Sequence, residues 1–365
     1  MKTEKTNIET TDEMKRKIEL IKEALSDEDT HISTYQKFAI SYGGLVNNDI
    51  RSKVWPKLLE ADISDISPKP ESSVLEGHRD YNQVVMDVNR TLKRFPPGMD
   101  DDVRLALQDQ LIDLIMRVLV NHEELHYYQG YHDICVTILL VVGDDVGFAL
   151  MDILSLNHLR DFMDSNMDRT KHMLNYLYPI VGRSNPELRD FMERSEVGTI
   201  FSLSWLITWF GHVLDDIRHI VRLYDFFIAN HGLMPIYLAA AIVLYRKEEI
   251  LASECEMCVL HCLLSKIPDN LPYEKLISDA GDLFLQYPPT QLANEALLAY
   301  KKKNDAIKGR RVQKQKENLK AKRYHLSKLF TQNGSNVLVK VTMWTFVALM
   351  TAGMWAIINT YREFD

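Results

Sequence analysis

Residues 126–134 read HYYQGYHDI. Gln129-Gly130 sits among Tyr127, Tyr128 and Tyr131, just ahead of the apolar run Cys135–Val142. A primary amide is neither acid nor base, and it is a poor choice for a packed core. What it does well is donate and accept hydrogen bonds at once. At this junction it is suited to aiming a hydrogen bond at something outside the chain. A second constellation lies upstream. Tyr81, Val84, Val85, Val88, Leu92 and Phe95 follow the three-and-four spacing of one apolar helix face, and Pro96-Pro97-Gly98 stops that helix. Opposite the face the pattern places Asp87, Arg90 and Arg94. Asp87 can hold the Arg90 guanidinium, because residues three apart on a helix are neighbours and the acid lies N-terminal. Periodicity leaves two readings open: a solvated charge face, or an arginine kept for use.

No motif makes a complete active site. The sequence has no G-x-x-x-x-G-K-[ST] loop to cradle a nucleotide and no G-x-S-x-G elbow to raise a nucleophile. Cys255, Cys258, His261 and Cys262 have a spacing that suggests zinc. They lie inside ECEMCVLHCLL, however, which reads as one amphipathic helix, and a second ligand pair is missing, so no metal is expected. His212, Asp216 and His219 could line one helix face, as a polar edge between core positions Val213, Ile217, Ile220 and Leu223. Any catalysis therefore needs a second molecule.

The elements that must position these residues read as helices throughout. Leu105–Val120 is periodic, and ICVTILLVV, although rich in β-branched residues, reads as a buried helix opening near Gly130. Gly232–Tyr245 and Ser204–Leu214 are apolar but too short to span a membrane, and read as core helices. There is no repeat and no βαβ alternation, so the expected class is all-α. Residues 1–43 form a polar, partly helical lead-in, and 62–80 form a surface connection rich in Ser, Pro and Asp.

Charge divides the chain. Of 365 residues, 301–330 hold twelve Lys or Arg against two acids, while residues 1–300 hold 29 basic against 47 acidic residues. The acidic body argues against nucleic acid, and the basic block suits an anionic membrane surface. Beyond it, Val341–Ile358 is an uncharged run of eighteen, close to the ~20 residues a spanning helix needs. Trp344 and Trp355 lie near its ends, where aromatic belts sit. The expectation is a tail anchor at 337–358, after a basic linker at 299–336, with 359–365 luminal and the body cytosolic. Four cysteines in so long a chain fit a reducing compartment.

Val84-x-x-Asp87-x-x-Arg90 followed by Tyr127-x-Gln129-Gly130 resembles the two signature motifs of the TBC-domain Rab GTPase-activating proteins. GLVNNDIRSKVW at 44–55, with Arg51 and Trp55, is similar to the family's opening motif. SWLITWFGHVL at 204–214 and VRLYDFFIANH at 221–231 look like its later ones. The likeness covers 44–232 in family order, and the helical body is expected to continue to about 298. Val46 stands where the family commonly has proline, Val84 where it has isoleucine, and Tyr131 where it has methionine.

The resemblance implies catalysis in trans. Arg90 would supply positive charge to the transition state on a GTP-bound Rab, and Gln129 would orient the attacking water. Asp87 would orient Arg90, with Tyr127, Gly130, Arg51 and Trp55 as supports. The chain would be an activator with no cofactor of its own, since GTP and magnesium belong to the Rab. It also implies residence at the endoplasmic reticulum or early Golgi, and Rabs of early secretory traffic. The alternative is a tail-anchored Rab-binding scaffold that does not stimulate hydrolysis. Removing residues 338–365 is expected to release a folded protein from membranes. Extraction of the full chain by carbonate or high salt would instead favour peripheral binding through Lys301–Lys328.

Overall fold

The computed structural model describes residues 11–90, 99–268 and 270–332, together with 344, 346–348 and 351. All regular structure in these residues is helical, as expected. Two compact units divide the chain, residues 1–300 and 301–365.

Thr11 caps α1 (Asp12–Ser26) by accepting the Met14 N–H, and only Ile21 of this exposed lead-in helix is buried. The next helices are α2 (Ile32–Ile40) and α3 (Asn48–Leu58), with Asn47 capping the latter through the Ile50 N–H. A short α4 (Ser72–Glu76) interrupts the surface connection and buries Leu75. Then come α5 (Tyr81–Arg90), α6 (Asp101–Asn121), α7 (Tyr131–Val142) and α8 (Asp144–Leu156). α6 packs against α5, α7 and α8, and α3 packs against α7. The middle of the body holds α9 (Asp168–Leu174), α10 (Leu177–Ser184), α11 (Pro186–Arg194) and α12 (Leu203–Ile207). α13 (Ile217–Ile228) and α14 (Met234–Tyr245) follow, then α15 (Lys247–Leu251), α16 (Met257–Ser265), α17 (Tyr273–Gln286) and α18 (Pro289–Gln332). α14 is apolar on every side and is accordingly wrapped, packing against α10 and α17.

Several expectations change. Ser204–Leu214 is not one helix: it is helical only to Ile207. Trp209 (φ 46°) and Phe210 (φ 65°) are then left-handed, and the Phe210 N–H turns back to Trp205 O at 2.6 Å. Two left-handed aromatic residues cost on the order of 1–3 kcal/mol each. The bend lets Trp205, Trp209 and Phe210 all bury completely, which repays a cost of that size. His212, Asp216 and His219 share no helix face, because Asp216 caps the start of α13 and His212 lies in the preceding turn. Likewise ECEMCVLHCLL is helical only from Met257, with Cys258 and Cys262 exposed. Among the described residues no group of three or more His, Cys, Asp or Glu could hold a metal ion.

Residues 299–332 of the expected basic linker are part of α18, consistent with their Ala, Lys, Gln, Leu and Glu content. The expected extension of α5 to Phe95 and its stop at 96–98 lie outside the described residues. So does most of Val341–Ile358, of which residues 344, 346–348 and 351 are described, as helix. Among the described residues no helix is long and apolar enough to cross a membrane.

One buried carboxylate ties the start of the body to its middle. Asp225 on α13 is fully buried. Its Oδ1 accepts from Trp55 Nε1 at 2.9 Å and Arg51 Nε at 3.0 Å. Its Oδ2 accepts from Arg51 Nη2 and from the Leu45 N–H, each at 3.0 Å. Gly44 passes so close that a Cβ there would lie 2.5 Å from Oδ2. The next turn carries Val46 at φ 66°, a strained setting for a β-branched residue and one that proline's fixed negative φ forbids. One turn earlier on α13, Arg222 donates to the carbonyls of Ala39, Ile40 and Ser41 and pairs with Glu274. Asp225→Ala should lower stability by about 3–5 kcal/mol, because it strands the buried Arg51 guanidinium. Urea unfolding measures this, with Asp225→Asn expected between the two. Wild-type stability in Asp225→Ala would remove the carboxylate from the scaffold's account.

Candidate functional site

α5 presents its apolar stripe, Val84 and Val88, to the core and carries Arg90, whose side chain is exposed. Asp87 does not lie opposite that stripe. Three residues after Val84 and one before Val88, it flanks the buried side and is only 2% exposed. Its Oδ1 accepts from Gln83 Nε2 at 3.0 Å, and its Oδ2 accepts from the Tyr127 hydroxyl at 3.1 Å. No ion pair joins Asp87 to Arg90 among the described residues, so the carboxylate turns inward while the guanidinium turns out.

The segment carrying Gln129 is fastened along its length. Arg79 Nη2 donates to Leu125 O at 2.6 Å, the His126 N–H to Met163 O at 2.9 Å, and the Tyr127 N–H to Asp80 Oδ2 at 3.3 Å. Gly130 then opens α7 at φ 114°, which L side chains rarely adopt, and a Cβ there would meet Thr208 Cγ2 at 2.9 Å. The glycine therefore does two things: it makes the turn, and it lets the wall formed by the residues after α12 come close. Gln129 is left exposed on the outer side.

Arg90 and Gln129 line the same open groove, of about 640 Å³. His132 and Asp133, from the first turn of α7, form its floor, and Ile207, Thr208, His212 and Ile217 lie along the facing wall. The Asp133 carboxylate sits between two imidazoles, with His212 Nδ1 at 3.4 Å and His132 Nε2 at 3.9 Å. Burial, followed by the neighbouring Asp87 carboxylate, pushes the Tyr127 phenol well above its ordinary pKa, so it remains a protonated donor at neutral pH. Among the described residues neither the Arg90 nor the Gln129 side chain has a hydrogen-bond or ion-pair partner. A free guanidinium and a free amide in one groove can grip anionic oxygens and orient a water. They cannot by themselves attack or cleave a bond.

Of the residues singled out from sequence, Arg90, Gln129, Gly130 and Asp87 line this groove, and Tyr127 bonds to Asp87 beneath it. Arg51 and Trp55 lie elsewhere, on Asp225. Sequence reasoning passed over His132, Asp133, Thr208 and Asp225. Asp225 carried a usable signal, as a lone carboxylate in the otherwise apolar LYDFFI; the others are set by the fold alone.

The architecture is all-helical, and its groove presents an exposed arginine and an exposed glutamine. Residues 48–251, more than half the chain, match the Rab-GTPase-TBC domain family, and the chain belongs to that family of GTPase activators. It is 57% identical over 282 residues to human TBC1 domain family member 20, covering 77% of this chain and 70% of that protein. It is 31% identical over 240 residues to the GTPase-activating protein gyp10 of Schizosaccharomyces pombe, covering 65% of this chain and 64% of that one. The fold is shared with the crystal structure of the Ypt/Rab-GAP domain of Gyp1p, at a TM-score of 0.59 and 13% identity, covering 74% of this chain and 98% of that one.

Gly130→Ala should lose about 1–3 kcal/mol of stability from its dihedral and its clash with Thr208. Adding Thr208→Ser removes the clashing methyl and should recover the contact part alone. Thermal unfolding of the single and double variants separates the two contributions, and unchanged melting in Gly130→Ala would show that the turn tolerates a side chain.

Proposed function

We propose that this protein accelerates GTP hydrolysis on a Rab-family GTPase by inserting Arg90 and Gln129 together into the GTPase's site. The observation that carries this is the pair of unspent side chains sharing one groove on a fixed scaffold. Hydrolysis spreads negative charge over the γ-phosphoryl oxygens, and an external guanidinium placed there is worth ~10³–10⁵ in rate. Its planar fork of donors matches those oxygens better than a lysine ammonium does. The Gln129 amide can accept from the attacking water and donate to a phosphate oxygen, fixing the line of attack. GTP and magnesium are the partner's. Gyp10 is named a GTPase-activating protein, and that name supports the same activity here.

The proposal extends to place. Val341–Ile358, eighteen uncharged residues behind the basic end of α18, would be a tail anchor holding the body on the cytosolic face of an early secretory membrane. A thin bilayer suits that length, and Rabs of that traffic would be the partners.

Single-turnover hydrolysis across a panel of GTP-loaded Rabs tests the activity. Arg90→Ala should abolish nearly all stimulation on the preferred Rab while binding persists, since the lost contact forms only in the transition state. Arg90→Lys should recover little of it. Gln129→Ala should also lower the rate, and the double variant should lose less than the product of the two single losses. Near-wild-type turnover in Arg90→Ala would leave a Rab-binding scaffold as the better account.

A further inference from the structure

Arg90 and Gln129 stand on different elements, one on α5 and the other on the segment leading into α7. Something must fix their relative position to within a fraction of an ångström, because a misplacement of about 1 Å costs on the order of a hundred-fold in rate. A three-residue hydrogen-bond chain joins the two elements directly beneath the groove. Asp87, three residues before Arg90, accepts from the Tyr127 hydroxyl at 3.1 Å. That same hydroxyl lies 2.9 Å from His132 Nδ1. Tyr127 is two residues before Gln129, and His132 is three after it. All three side chains are wholly or largely withdrawn from water, with His132 9% exposed.

Among Asp87, Tyr127 and His132 one arrangement of protons satisfies both contacts, and Asp133 Oδ1, 3.9 Å from Nε2, is too distant to accept a hydrogen bond from the other ring nitrogen. A phenol has one proton, and the Asp87 carboxylate, acceptor-only when ionised, takes it. The phenol oxygen can then only accept from the imidazole, so Nδ1 must carry a hydrogen. With Nδ1 bare, either the phenol would turn away from Asp87 or two lone pairs would face each other. We infer that His132 is a positioning residue for the hydrolysis reaction: by donating from Nδ1 to Tyr127, it locks the phenol onto Asp87 and so fixes the arginine-bearing helix against the glutamine-bearing segment. This rests on the function proposed above. His132 acts through Tyr127.

Substitutions at this position have opposite expected outcomes. In asparagine the amide nitrogen can occupy the place of Nδ1, one bond from Cγ, whereas in glutamine the donor lies a bond too far. His132→Ala should lower the maximal stimulated rate about ten- to a hundred-fold with little change in the Rab concentration needed for half-saturation. His132→Asn should restore most of the rate and His132→Gln should not. Tyr127→Phe should match His132→Ala, and the double variant should be no worse than either single one. A wild-type rate in His132→Ala, or equal rates for the Asn and Gln variants, would overturn the inference.

A readout free of any GTPase keeps the two proposals separate. Nitrogen-15 spectra of the imidazole above its titration range should show the proton of His132 on Nδ1, and Tyr127→Phe should weaken that preference. A bare Nδ1 in the wild-type protein overturns the chain whatever the hydrolysis assay gives. If the wild-type protein stimulates no Rab while the proton sits on Nδ1, the functional proposal fails and the hydrogen-bond chain stands.

Discussion

A carboxylate with no exposure to water has to be answered by donors on every side, and Asp225 is answered by three different groups. A guanidinium on α3, an indole on the same helix and a backbone N–H in the loop before it all converge on two oxygen atoms. Each donor is itself buried and would be costly to leave without an acceptor. The arrangement is therefore all or nothing: α3 and the 41–47 loop sit against α13 in one way. α3 also packs on α7, the helix that Gly130 opens. The position of the glutamine-bearing segment thus depends, through two helix contacts, on a charge pair far from the groove.

The site uses polar groups in two distinct ways. Gln83, Asp87, Tyr127 and His132 bond to one another and behave as structure. Among the described residues, Arg90 and Gln129 have no such partner. Burial separates the two sets. A donor committed to a neighbour in the free protein would have to break that bond before reaching a phosphate. On the function proposed, an arginine with no partner among the described residues would keep binding energy available for the reacting state rather than the resting one.

The helical class, α7 and α14 were legible because their apolar content leaves no face for water, and such segments have to be wrapped. Arg90 and Gln129 were singled out because Val84-x-x-Asp87-x-x-Arg90 and Tyr127-x-Gln129-Gly130 resemble two family motifs, whereas periodicity alone left Arg90 open as a solvated charge. The direction of Asp87 was not, even though its neighbours Val84 and Val88 mark the buried stripe. A carboxylate is ordinarily assigned to water unless its partner is known, and the partner, Tyr127, is 40 residues away. The bend at Trp209–Phe210 was hidden for a related reason. Its residues have the composition of a core helix, and only the packing of three aromatic side chains makes two left-handed conformations worthwhile. Asp225 could be suspected as buried from its apolar neighbours in LYDFFI, but its partners Arg51 and Trp55 are too distant in sequence to be read.

The separation between Trp55 and Asp225 is 170 residues. During synthesis, α1 to α3 leave the ribosome with the Arg51 charge and the Trp55 indole already in place and no acceptor yet made. At ~5–20 residues per second the gap lasts on the order of ten seconds or more. Over that interval the amino-terminal helices can form locally but cannot dock in their final register, because the loop closed by this contact does not yet exist. The body of this protein is thus completed from its middle outward, when α13 arrives to fix what was made first.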